Sequence, residues 1–465
     1  MDRNTNKIIL HIDVNSAFLS WSAVKRLKED PNALDLRTVP SVVGGDIKTR
    51  HGIVTAKSIP AKKYGIQTAE PIASALQKCP KLVVVSSDFH TYKEYSHAFI
   101  EILRSYSEIL EQVSIDEAYL DVTELSGMNV RKHLLESVGD IFGVIETNYA
   151  DRYESSESRI RNEIIANPEF DQRYPLNIAA AIRYEIRTKL GFTVNVGIST
   201  NKLLAKMASD FTKPDRTHTL FPDEVQAKMW PLDIGDLYGC GKKSAEKLRG
   251  VGVRTIGDAA VMDLDLLKSQ LGEKGGEYIY RSANGIGSVT VHPEREDAKS
   301  YSNETTMSND ITSDNYDSDM PPVVRYLADK VSGRLKRDGV FGGTITAQVK
   351  TSDFKRFSRQ LKLSESTDDA DVIYENAMLL LGNLLTGENG IFEEGIGVRL
   401  VGVGVDNLDN GEYRQGNLFD WMTTGQAEVK EEKLKEEKRE KLGEMERLIK
   451  GKFGDGAIKK GLSDG

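Results

Sequence analysis

Residues 113–123 read Val113-Ser-Ile-Asp-Glu-Ala-Tyr-Leu-Asp-Val-Thr123, an alternating apolar strand pattern interrupted by the acidic pair Asp116-Glu117. Two ionised neighbours at the edge of an apolar hairpin repel each other and lose hydration unless a cation or tight hydrogen bonds compensate them. Standing alone, such a dipeptide reads as a solvated turn. A third acid, Asp13, ends another apolar run, Lys7-Ile-Ile-Leu-His-Ile-Asp13. Three carboxylates at strand ends are the makings of a hard divalent-metal site with oxygen donors, of the kind that holds nucleotide phosphates.

The 465-residue chain is too long for one core, so two to four domains are expected. Its 39% hydrophobic and 29% charged residues fit a folded multidomain protein, and no apolar run is long enough to span a membrane. The opening Met-Asp-Arg-Asn-Thr-Asn-Lys is no secretory signal. Cys79 and Cys240 are too few for a multi-cysteine metal site and read as packed thiols, so a cytoplasmic location is expected. The net charge of −9 argues against a nucleic-acid partner only if the basic residues are dispersed. They are grouped: residues 329–362 hold nine Lys or Arg against three acids, whereas 124–177 holds ten acids against six basic residues.

Local patterns place a strand at Ile8–Ile12, a helix over Ala17–Lys28 ended by Asp30-Pro31, and short strands near Val42-Val43 and Leu82–Val85. A long amphipathic helix is expected over Tyr92–Leu110, then helix at Ile178–Lys189, strand at Thr193–Ile198 and a helix from Asn201. This order suits an α+β sheet with helices on one face. Residues 234–288 read as glycine-punctuated helices and 289–299 as a linker. Strands at Gly343–Lys350, Arg356–Leu363 and Val398–Val405, with a helix at Val372–Leu385, form a separate α+β domain. Past Gly425 the tail alternates Glu and Lys and carries no evident chemistry.

Ser114-Ile-Asp-Glu-Ala-Tyr-Leu-Asp-Val-Thr123 resembles the second carboxylate motif of the Y-family (translesion) DNA polymerases, and the chain looks similar to their bacterial DinB, polymerase IV-like branch over roughly 7–420. The resemblance implies a multidomain α+β right hand: palm at 1–20 and 84–233 (with an insertion at about 128–175), fingers at 21–83, a helix-hairpin-helix thumb at 234–288, a linker at 289–299, a little finger at 300–408 and a flexible tail at 409–465. It implies that Asp13 and Asp116 bridge two Mg²⁺ ions, that Glu117 ligates the ion that activates the primer hydroxyl, and that the Val14 carbonyl completes the nucleotide-side ion. Phe18 takes the steric-gate position that leaves no room for a ribose 2′-hydroxyl; on its own it reads as a core-facing aromatic of an amphipathic helix.

Thr55-Ala-Lys-Ser-Ile-Pro-Ala-Lys-Lys-Tyr-Gly65 falls at the fingers motif, but Ile59 stands where the family has Tyr, and Lys62 where it has Arg. Lysine keeps the charge without the bidentate fork, so weaker dNTP binding is expected. Ala17 stands where relatives often carry an aromatic. Asn195-Val-Gly-Ile-Ser-Thr-Asn-Lys-Leu-Leu-Ala-Lys-Met-Ala-Ser-Asp-Phe-Thr-Lys-Pro214 resembles the family segment whose final lysine, here Lys213, reaches the triphosphate. Lys202 and Lys206 share a helix face and read as solvated, with Lys202 alone a candidate for a structural or DNA-binding role. Gly239, Gly241 and Lys242 sit in a helix-hairpin-helix pattern whose backbone N–H groups bind DNA phosphate. Lys355, Arg356 and Arg359 alternate along a strand that would follow the DNA backbone, and otherwise read as a charge-protected edge. Gln415-Gly-Asn-Leu418-Phe419 resembles the sliding-clamp peptide of bacterial polymerases.

The implied protein is a monomeric, low-fidelity, template-directed DNA polymerase acting on primer-template DNA and dNTP, with the sliding clamp as partner and no membrane association. The alternative is a clamp-recruited DNA-binding protein with weak or no polymerase activity. A nucleotidyl cyclase built on the same palm would have no use for the helix-hairpin-helix, the basic second domain or the clamp peptide. The acidic 124–177 insertion carries no motif that decides between a partner site and an inert elaboration.

Overall fold

The computed structural model describes residues 7–45, 52–125, 174–294, 297–386 and 389–411. The clamp-like peptide 415–419, the charged tail and nearly all of the insertion lie outside them. Two compact units divide at Asp297/Ala298.

In the first unit, strands β1 (Ile9–Val14), β2 (Ser41–Gly44), β3 (Val54–Lys57), β4 (Val83–Val85), β5 (Leu110–Gln112), β6 (Glu117–Asp121), β7 (Val194–Ser199) and β8 (Thr217–Thr219) form two sheets, ordered β5-β6-β1-β7-β8 and β3-β2-β4. Helices α1 (Ala17–Glu29), α2 (Ile59–Lys62), α3 (Ile72–Lys78), α4 (Phe89–Arg104), α5 (Tyr174–Glu185) and α6 (Lys202–Asp210) pack around them. β1 is the central strand, antiparallel to both neighbours, with Asp13 opposite Glu117 on one side and Asn195 on the other. Leu10, Ile12 and Val14 point into the main core with Leu19, Trp21, Phe99 and Ile182. The period of two sends Ile9, His11 and Asp13 to the opposite face, where Ile9 meets Ala205 of α6. A buried central strand covered on both faces explains the unbroken apolar run. Gly197, opposite His11 on β7, lets α6 lie close, because a Cβ there would strike the Ala205 carbonyl and the Ser209 amide.

Two expected elements are corrected. The helix expected over Tyr92–Leu110 runs from Phe89 to Arg104, and Leu110–Gln112 is strand β5 paired to β6. Helical spacing links Leu103, Tyr106 and Leu110, and all three are buried in the same core although the chain turns between them. The turn wins because the Ser107 hydroxyl donates to the Asp121 carbonyl (2.8 Å) and Leu110 gains a strand partner in Leu120. The helix expected at Ile178–Lys189 begins at Tyr174 and widens into a π-turn over Ile186–Leu190, closed by Gly191 at φ 82°.

Helices α7 (Lys242–Gly250), α8 (Ile256–Val261), α9 (Leu264–Leu271) and α10 (Glu273–Ala283) complete the first unit around Leu237, Leu248, Ile256 and Ile279. The second unit has strands β9 (Ser300–Ile311), β10 (Phe341–Thr351), β11 (Arg356–Thr367) and β12 (Val398–Asp409) in the order β11-β10-β12-β9, with α11 (Tyr316–Asp338) and α12 (Ala370–Leu385) on one face. Ile345, Ala347 and Val349 of β10 and Val401, Val403 and Val405 of β12 point to the helices, and no described helix of this unit covers the other face. Among the described residues no helix is long and apolar enough to cross a membrane.

Candidate active site

β1 and β6 bring the three acids together. Asp13 and Glu117 are register partners, and the Val14 amide donates to the Asp116 carbonyl at 2.9 Å. The Ser114 hydroxyl donates to Asp116 Oδ1 at 2.6 Å. Burial, together with the charges of Asp13 and Glu117, raises the Asp116 carboxyl above its ordinary value despite that hydrogen bond. Glu117 goes the other way: His11 beside it and the Lys206 ammonium hold its carboxyl down to about 2.

Lys206 overturns the expectation of a solvated side chain. It is 9% exposed, and its Nζ lies 2.9 Å from Glu117 Oε2, 3.2 Å from Asp13 Oδ2 and 3.4 Å from Asp210 Oδ2. Burial alone would lower its pKa, but Asp13, Glu117 and Asp210 outweigh it and raise it. Helical spacing shows only Asp210, four residues on; Glu117 and Asp13 are 89 and 193 residues away. Lys202 itself is held by Glu111 at 2.6 Å, a structural contact. Lys213 reaches Asp13 Oδ1 at 2.8 Å and Asp210 Oδ1 at 2.9 Å.

His11 backs this cluster. His11 Nδ1 lies 2.8 Å from Ser209 Oγ, and that hydroxyl lies 2.8 Å from the Lys206 carbonyl. Burial lowers the His11 pKa, and Glu117, whose Oε2 lies 3.4 Å from His11 Nε2, opposes that fall.

A buried polar network that sequence reading missed carries Lys213. Asn15 Oδ1 accepts from Thr193 Oγ1 (2.9 Å) and the Asp215 amide (2.9 Å), while Asn15 Nδ2 donates to Asn195 Oδ1 (3.1 Å). Asn195 Nδ2 donates to the carbonyls of Ser209 (3.0 Å) and Thr212 (2.7 Å). Arg183, 3% exposed, closes the loop with its guanidinium on the Asp215 carboxylate at 2.7 Å. Asn195 is fully buried, so Asn195→Leu removes the amide donor from both carbonyls and leaves Thr212 only the longer His218 Nε2 contact at 3.3 Å. A loss of about 2 kcal/mol is expected in denaturant unfolding, with a higher KM for dNTP as the Lys213 loop loosens. The position of Asn195 at the head of the glycine–lysine segment was the available signal.

Asn15, Ser16, Arg37, Ser58, Ile59, Lys62, Thr193 and Lys213 line a cleft of about 380 Å³. It unites the α1 start, the fingers-like segment and the Lys213 loop. Ser16 adopts a left-handed backbone, and its side chain makes no cap bond to α1. Ile59 and Lys62 are exposed on α2. Arg37, another residue not foreseen, is aimed here by a bidentate pair with Asp35 and a 2.7 Å bond to the Gly191 carbonyl. Phe18 is half-buried, stacked on Tyr92 at 4.6 Å and 12°, with Phe89 edge-on at 6.0 Å.

Gly239 stands at φ 85°, where a side chain would strike the Tyr278 ring, and Gly241 is the N-cap of α7 beside exposed Lys242. In the second unit Lys355 pairs with Asp353 at 3.0 Å, and Arg356 reaches Glu304 at 3.0 Å across the sheet face away from its helices. Exposed pairs of this kind are screened by solvent and add little to stability. Arg359 is exposed on the edge strand β11.

Oxygen donors alone, with surplus negative charge at Asp116, fit a hard divalent cation in chemistry. Among the described residues no three such groups converge on one point, because Asp13 and Glu117 are drawn to lysine and Asp116 to Ser114.

Residues 12–210 match the impB/mucB/samB family, 298–418 its C-terminal domain, and 235–287 the thumb domain of DNA polymerase iota. DNA polymerase IV of Clostridium acetobutylicum is 36% identical, covering 97% of both chains. DNA polymerase IV 1 of Bacillus subtilis is 32% identical over 98% of this chain and 93% of its own. DNA polymerase IV of Methanoculleus marisnigri is 32% identical over 90% of this chain and 99% of its own. A solved chimeric Y-family DNA polymerase shares the fold, with a TM-score of 0.64 at 24% identity over 86% of this chain and 98% of that one. The chain belongs to the Y-family DNA polymerases, on their DinB, polymerase IV-like branch.

Proposed function

We infer that this chain is a template-directed DNA polymerase of low fidelity that performs translesion synthesis, and that Asp13, Asp116 and Glu117 are its catalytic carboxylates. The observation that carries the residue assignment is the strand register placing Asp13 against Glu117, with Asp116 tied to Val14 beside a cleft bearing Lys62 and Lys213. Those carboxylates and the Val14 carbonyl would hold the divalent ions, proposed as two Mg²⁺, which supply positive charge to the attacking and leaving oxygens.

The remaining work is positioning and charge. Lys213 leaves Asp13 and Asp210 to meet the incoming triphosphate, and Lys62 adds a second point charge from α2. The start of α1 offers backbone donors to phosphate. Gly239, Gly241 and Lys242 grip the DNA backbone without reading bases, and Lys355, Arg356 and Arg359 do so from the second unit. Gln415, Leu418 and Phe419 are proposed to dock on the sliding clamp.

Primer extension on a primed template, with Mg²⁺ and each dNTP, tests the reading: template-dependent addition by the wild type is expected. DNA binding without extension, even with clamp added, would favour the clamp-recruited DNA-binding alternative. Lys62→Arg restores a bidentate fork and should lower the dNTP KM by about tenfold. An unchanged KM would place Lys62 outside the phosphate contacts.

A further inference from the structure

The Lys206 head group is surrounded by Glu117, Asp13 and Asp210, and its stem is buried in α6. Its contacts fall on two of the three carboxylates assigned to metal binding and omit the third, since Asp116 is hydrogen-bonded to Ser114. We propose that Lys206 is a positioning residue, a resident counter-cation that holds Asp13 and Glu117 and competes with divalent ions for them, so that it sets the metal affinity of the site. The proposal rests on the carboxylate assignment made above.

Three features carry it. First, an ammonium within hydrogen-bond reach of both carboxylates neutralises a pair that would otherwise repel across the β1–β6 register. A divalent ion brings twice the charge and displaces it only at the cost of those bonds. Second, Asp210 lies one turn along the same helix, 3.4 Å from Nζ, and its side chain is 47% exposed. A displaced ammonium therefore keeps an anionic partner and access to water, and is not left buried and unpaired. Third, Asp210 also holds Lys213 at 2.9 Å. One carboxylate thus serves both lysines when Asp13 is taken over by an ion.

The test is Mn²⁺ binding to the full-length protein without DNA or nucleotide, by calorimetry or by the spectrum of free Mn²⁺. Lys206→Met keeps the buried stem and removes the charge. Its Mn²⁺ affinity should rise by about tenfold, while its melting temperature in EDTA falls and recovers on adding Mn²⁺. Lys206→Arg should bind Mn²⁺ like the wild type. Equal, measurable affinity in Lys206→Met and wild type overturns the proposal but leaves the carboxylate assignment standing. Absence of Mn²⁺ binding in both overturns the proposal and that assignment together. Should Lys206→Met fail to fold, acylation of the wild type read by mass spectrometry decides. Labelling of Lys206 relative to Lys202 should increase with Mn²⁺, and unchanged labelling refutes displacement.

Discussion

Asp116→Asn and Glu117→Gln should each abolish primer extension, by about 10³-fold or more, while moving the melting temperature in opposite directions. The loss of activity follows from removing a charged oxygen donor from a site whose catalysis is electrostatic. The stability contrast follows from their surroundings. The Asp116 pKa is raised, so the folded state binds its proton more tightly than the unfolded chain does. The ionised group is then a liability that grows as pH rises through the carboxylate range, and Asp116→Asn removes it. A gain of about 1–2 °C is expected at pH 7, shrinking toward zero as pH falls below the unfolded value near ~3.9. Glu117 is depressed to about 2 by its His11 and Lys206 neighbours. Its contribution is present above the unfolded value near ~4.3 and is lost as pH falls toward the folded one. Glu117→Gln should therefore melt earlier at pH 7 and converge with the wild type in acid. Paired calorimetric scans at pH 7 and in acid approaching the folded Glu117 value of about 2 decide; a shared sign at pH 7 would mean that Lys206 does not distinguish the two acids.

Phe18→Ala should admit ribonucleotides, narrowing discrimination between dNTP and NTP by on the order of 10²-fold. The phenyl ring is fixed by stacking on Tyr92 and by the edge of Phe89, so it cannot swing aside for an extra hydroxyl. A held ring rejects by sterics where a mobile one would yield. Truncation also removes half-buried aromatic surface at a cost of about 2 kcal/mol, so melting controls accompany the kinetics. Single-turnover incorporation of each dNTP and its NTP is the measurement. Unchanged selectivity, with only stability lost, would return Phe18 to the role of a core aromatic.

The strands that carry the acids were legible because Asp13 ends an unbroken apolar run and the Asp116-Glu117 pair interrupts an alternating one. The fold class, the helix beginning at Ala17 and the strand at Thr193–Ile198 followed from the same local chemistry. The helix expected through Leu110 failed because Leu103, Tyr106 and Leu110 keep helical spacing while Leu110 also pairs as a strand; the choice lay with Leu120 and the Asp121 carbonyl on the next strand.

Lys206 marks the boundary most sharply. Residue type and spacing identify a lysine on an amphipathic helix and nothing more, since an ammonium looks the same in water or among carboxylates. Gly197 lets α6 approach the sheet, and the β1–β6 register puts Asp13 and Glu117 at the same height. Only that meeting turns a surface-like lysine into a buried counter-ion, and only the Asn15–Asn195–Asp215 network points Lys213 at the same place. The chemistry of the acids is written locally in the chain. The charges that compensate them are set by packing, because Coulomb energy depends on distances that sequence separation does not specify.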